Sequence, residues 1–81
     1  MDRYERARRT VDSIATENPA FEMDVVRELL DHNELVVGLE ILCDNLYEYD
    51  VPMSEAARQA LVHICRKSGL AAHYWQRFQA S

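Results

Sequence analysis

Glu40, Asp44 and Glu48 recur at four-residue steps, a spacing that stacks three carboxylates on one side of a helix. Carboxylates so placed point to two chemistries. One is hydrolysis by a paired acid and base, which needs a cleft that pushes the two pKa values apart. The other is recognition of a basic partner, which needs only an accessible negative surface. A helical ridge in a chain of 81 residues has no core large enough to wall a cleft, so the second fits better. The remaining reactive side chains add little. Cys43 and Cys65 fall on apolar helical positions, where a reduced thiol acts as a small hydrophobe and lacks the polarised site a nucleophile requires. His32, His63 and His73 have no partner at i, i+4, and the closest set, His63, Cys65 and His73, straddles two helices. The only glycines are Gly38 and Gly69, so no phosphate-cradling loop exists. The reading is a non-catalytic chain with no cofactor, no metal and two free thiols.

Charge distribution carries more information than any motif. Residues 21–55 hold ten carboxylates and a single base, Arg27. The first 20 residues balance four acids with four arginines, and residues 56–81 carry four bases and no acid. The formal net charge of −5 is therefore concentrated in the middle of the chain. Arg3, Arg6, Arg8 and Arg9 could touch phosphates, yet they alternate with Asp2, Glu5 and Asp12 in front of the acidic block. Nucleic acid is not the expected partner.

The elements that position these groups are helical. Tyr4, Ala7, Val11, Ile14 and Ala15 form one apolar stripe from Asp2 to Glu17, and Asn18-Pro19 ends it. A second helix is expected from Pro19 or Glu22 to His32, with Phe21, Val25, Val26, Leu29 and Leu30 inward. Asn33 is read as closing it and capping the third through its side chain. The third runs from Glu34 to about Tyr49 with Leu35, Leu39, Leu42, Cys43 and Leu46 on one face. Ser54 caps a fourth, which presents Ala57, Leu61, Ile64 and Cys65 and stops at Gly69. A short fifth, Leu70 to about Gln79, returns Leu70, Tyr74 and Phe78 to the core. The fold class is all-α: residues 1–81 form a single domain, a compact bundle of four to five short antiparallel helices. Its stability is on the order of 5 kcal/mol. No apolar run is long enough to span a bilayer, and the basic N-terminus lacks a signal peptide's apolar region. A cytoplasmic protein without membrane contact is expected.

Like charges at i, i+4 repel by a few tenths of a kcal/mol per pair, and Glu48 and Asp50 sit at the wrong end of a helix dipole. Either the ridge is an ordinary solvated face or it is an interface, where such local inconsistency is usually kept. Tyr47 and Tyr49 flank it, together with Val37 and Ile41, which read equally as core or as contact surface. The candidate contact set is Glu40, Asp44, Glu48 and Tyr47. Glu28, Asp31 and Glu34 follow at the junction of the second and third helices.

The stretch from Val26 to Leu30, the run Leu39-Glu40-x-Leu42-Cys43-Asp44-x-Leu46, the segment Pro52 to Ser54 and the stretch from Leu61 to Gly69 together resemble the MafI-type immunity proteins. The resemblance covers about 45 of the 81 residues. Gly38 stands where alanine would be expected, a departure that signals close helix packing or weakens the likeness. The first helix and the Tyr74-Trp75 end lie outside it. The resemblance implies a small bacterial protein that neutralises a cognate polymorphic toxin, often a nuclease encoded beside it. The expectation is thus a monomer or weak homodimer binding a basic toxin domain through an acidic helical surface. The alternative is a small helical adaptor that assembles a cytosolic complex through Val37, Ile41 and Trp75.

Overall fold

Asp2 opens the first helix because its carboxylate accepts the Glu5 amide at 2.8 Å, satisfying one of the free N–H groups of the first turn. The computed structural model describes residues 2–79. Helix α1 spans Arg3–Glu17, α2 Asp24–Asp31, α3 Leu35–Glu48, α4 Glu55–Lys67 and α5 Ala72–Gln76. No strand occurs among the described residues. Helix α2 begins later than Pro19 or Glu22: residues 18–21 form a turn closed by the Phe21 amide on the Asn18 carbonyl at 3.0 Å, and residues 22–23 lead from it into the helix. Helix α5 is shorter than expected: residues 70 and 71 precede it outside the helix, and a turn at residues 77–78 follows it.

Three helices end in the same way. After α2, α3 and α4 the chain turns left-handed at Asn33 (φ 60°), Asp50 (φ 49°) and Gly69 (φ 81°). Each turn closes with two backbone bonds. The amides of Glu34, Val51 and Leu70 reach back to Leu29, Leu46 and Cys65, and those of Asn33, Asp50 and Gly69 to Leu30, Tyr47 and Arg66. These are Schellman ends, for which glycine is the usual choice and asparagine the next. Asn33 is therefore a helix terminator, and its side chain does not cap α3 as the sequence suggested: the N-cap is Glu34, without a side-chain bond. Asp50 is the least comfortable of the three, a non-glycine in the left-handed region with its charge at a helix C-terminus.

One hydrophobic core joins all five helices. Leu39, Leu42, Cys43 and Leu46 of α3 meet Val11 and Ile14 of α1, Val26 and Leu30 of α2, and Leu61, Ile64 and Cys65 of α4. Leu70 and Phe78 close it from the C-terminal end. The Cα radius of gyration, 11.2 Å, is near the roughly 11.7 Å expected for one packed unit of this length. Ile41 packs against the core, whereas Val37 stays exposed. Cys43 and Cys65 are free and buried, with their sulfurs 3.6 Å apart. Hydrogen bonding with Cys43, then burial, pushes the Cys65 thiol far above its ordinary pKa, so it stays protonated and unreactive.

Gly38 sits where α2 crosses α3. A methyl group there would meet Leu29 Cβ at 3.5 Å and Leu30 Cδ2 at 3.6 Å, both ordinary contact distances. Glycine inside a helix costs about 0.5–1 kcal/mol relative to alanine. Gly38→Ala is accordingly expected to raise the melting temperature by several degrees; a lower one would mean that α2 cannot tolerate the added methyl.

Glu17 ties the end of α1 to the start of α4. Its carboxylate accepts the Ser54 amide at 2.8 Å and the Ser54 hydroxyl at 2.6 Å, while Ser54 Oγ accepts the Ala57 amide. The Ser54 hydroxyl, then its amide, lowers the Glu17 pKa. A carboxylate lowered in the folded state stabilises fully above its unfolded pKa, about 4.3, and loses that contribution as pH falls through the folded value. Glu17→Gln should melt earlier than the parent at neutral pH. The gap should close as pH falls below about 4; a gap independent of pH would rule out this clamp.

Candidate functional site

The acidic segment does not form one uniform ridge. Of its ten carboxylates three have a basic partner: Asp31 pairs with Arg8 at 3.3 Å, Asp44 with Arg77 at 2.9 Å, and Glu55 with Arg58 of its own helix. Glu22, Asp24, Glu28, Glu34, Glu40, Glu48 and Asp50 make no ion pair among the described residues. Arg27, the one base of the segment, turns away to Asp12 on α1 at 2.7 Å. These seven unpaired acids come from α2, α3 and their flanking turns.

Arg77 explains why the candidate set on α3 divides. Its guanidinium donates to Asp44 and to the Tyr74 carbonyl and lies over the Tyr47 ring at 4.6 Å. This cation–π and ion-pair contact fastens the end of α5 onto the outer side of α3. Glu40 lies on the same side: burial first, then the Glu40 and Asp44 carboxylates, raise the Tyr74 pKa. Glu40 is half-buried there, while Asp44 and Glu48 are exposed. The repulsion that the four-residue spacing implies is thus relieved at Asp44 from within the chain. Only Glu48 of the three points to solvent without a partner. Tyr47 is 60% exposed, but one face of its ring already carries Arg77.

The second candidate group is likewise divided. Glu28 and Glu34 are exposed and unpaired, whereas Asp31 is held by Arg8, which also donates to the Leu30 carbonyl. Trp75, proposed as an adaptor contact, donates its indole N–H to the Leu70 carbonyl at 3.3 Å and carries Arg66 over its ring. With Ile41 on the core, Val37 is the exposed aliphatic of that patch, and Val36, not among the residues expected there, stands beside it, each 40% exposed.

A feature that pattern reading missed lies between α2 and the C-terminal end of α3. Val25, assigned inward by its helical spacing, is 58% exposed, and Tyr49 is 66% exposed. Val25 is outward because the buried face of α2 is centred on Val26 and Leu30, with Met23 before it, and Val25 falls off its edge; Phe21 stands edge-on to Tyr49, with ring centroids 6.4 Å apart. Phe21, Val25 and Tyr49 line a groove of about 370 Å³ with Glu22 and Asp24 on its border. The available signal was the pair of aromatics at the ends of their helices, Phe21 before α2 and Tyr49 after α3.

Among the described residues no three His, Cys, Asp or Glu side chains converge on a metal-sized site, and no helix is long and apolar enough to cross a membrane. Compared with known family models, curated proteins and solved structures, the chain matches none. The likeness to MafI-type immunity proteins thus stands on the residue strings alone.

Proposed function

We propose that the chain is a non-catalytic immunity protein that binds and neutralises a basic toxin domain, of nuclease type, through the acidic side formed by α2 and α3. The observation that carries this reading is the set of seven carboxylates there without an ion pair, next to exposed valine and tyrosine. Arg8 and Arg77 neutralise Asp31 and Asp44 on this side, Arg27 turns to Asp12 and Arg58 to Glu55, and none of the four pairs with the other seven carboxylates. A toxic nuclease presents a cationic groove to nucleic acid, and an acidic helical surface covers such a groove while repelling nucleic acid itself. Long-range attraction speeds encounter, and apolar contacts then slow release.

Co-expression with the toxic domain encoded in the neighbouring reading frame tests this. Restored growth and a stable complex in size-exclusion chromatography are expected; undiminished toxicity with no complex would contradict it. Val36 and Val37, side by side and exposed, support a second reading in which the chain is an adaptor that self-associates. Sedimentation at two concentrations separates them, since the adaptor forms a stable assembly that gains mass with concentration and the immunity protein is a monomer or at most a weak homodimer.

A further inference from the structure

We infer that the groove between α2 and the end of α3 receives an apolar anchor, aromatic or branched, which the partner carries between basic residues. This rests on the basic-partner reading and names where that partner is gripped. Several independent features favour this place over the Asp44–Tyr47 side. Among the described residues no cation lies over the Tyr49 ring, whereas Tyr47 is stacked by Arg77 of the same chain. Phe21 and Tyr49 already stand edge to face at an interplanar angle of 63°, a geometry that a third ring can extend. Val25 adds an aliphatic wall, and the side-chain amide of Asn45 has no hydrogen-bond partner among the described residues, leaving it free for a backbone group of the occupant.

Volume and charge define the occupant. A groove of about 370 Å³ lies near the lower end of ligand sites and suits one anchoring side chain with its neighbours. Glu22 and Asp24 border it, Glu28 follows one turn along α2, and Glu48 and Asp50 flank Tyr49 in the chain, Asp50 on the side of a second pocket that Arg58 and Arg77 also line. Among the described residues none of these five carboxylates is paired, and no base lines the groove. Lysine or arginine on each side of the anchor is therefore attracted, and an acidic flank is rejected. Asp50 keeps its charge at a left-handed helix end where glycine would be more stable, the kind of local cost found at binding surfaces.

The test is an amide NMR titration of the full chain with three short peptides. One has a central phenylalanine flanked by lysines, one has alanine in its place, and one has glutamate flanks. The lysine–phenylalanine peptide is expected to shift the amides of Phe21, Val25, Asn45 and Tyr49. It should bind about tenfold more tightly than either of the others. Tyr49→Ala should remove that advantage with the rest of the spectrum unchanged, because the side chain is largely in solvent. Shifts centred on Asp44, Tyr47 and Arg77, or an advantage that survives Tyr49→Ala, would overturn the groove assignment and leave the acidic partner surface standing. No shift with any basic peptide at low salt would overturn both.

Discussion

Glu48→Lys combined with Asp50→Asn lowers affinity for the basic partner about 100-fold while raising the melting temperature. The binding loss follows from changing the charge beside Tyr49 by three, at two carboxylates that make no ion pair among the described residues. Charges at an interface rim act chiefly on the association rate, so the salt dependence should flatten along with the affinity. The stability gain has a separate cause. Both acids oppose the dipole at the end of α3, and relieving each is worth about 0.3–1 kcal/mol, or a few degrees in a domain of this size. Asparagine retains the left-handed turn that Asp50 occupies, as Asn33 does after α2. Titration calorimetry and a thermal melt on the same sample read both effects. Weaker binding from a more stable protein cannot be unfolding in disguise. Unchanged binding would remove this end of α3 from the contact surface. Asp44 is a poorer probe, because reversing it also breaks its ion pair with Arg77.

Leu39→Ala has the largest expected effect on folding. Leu39 is fully buried at the middle of α3, within the cluster that joins the helices. Truncating such a leucine costs about 2–5 kcal/mol through lost transfer energy and the cavity left behind. A domain of this length has about 4–12 kcal/mol to lose. The melting midpoint should fall by about 15–20 °C, monitored by circular dichroism. Val37→Ala, two residues earlier on the exposed side, should shift it by no more than a few degrees. Similar losses at both positions would mean that α3 is turned differently from the orientation described.

Much of the architecture was legible because it is local. Leu35, Leu39, Leu42, Cys43 and Leu46 repeat with the helical period, and all are buried. Ser54, Gly69 and the Asn18-Pro19 break carry their own backbone chemistry, and each ends or starts a helix close to where it should. What stayed hidden depends on residues far apart in the chain. Nothing near Asp44 announces Arg77, 33 positions away, and the same holds for Arg8 with Asp31 and Arg27 with Asp12. Long arginine side chains reach across helices, so charge counts within a segment overstate the repulsion that survives folding. Val25 was misplaced because it sits at the edge of the apolar arc, and the face that α2 buries is centred on Val26 and Leu30. The groove also needs Phe21 and Tyr49, far apart in the chain, to meet, which explains why periodicity alone did not find it.

The dependence of association rate on ionic strength addresses the central idea most directly: an uncancelled negative face exists to meet a positive one. Stopped-flow mixing with the basic toxin domain proposed as its partner should show the rate falling at least tenfold as salt rises from about 20 to 300 mM, with dissociation little changed. A rate indifferent to salt would mean that these carboxylates are merely hydrated and that the partner, if any, docks elsewhere.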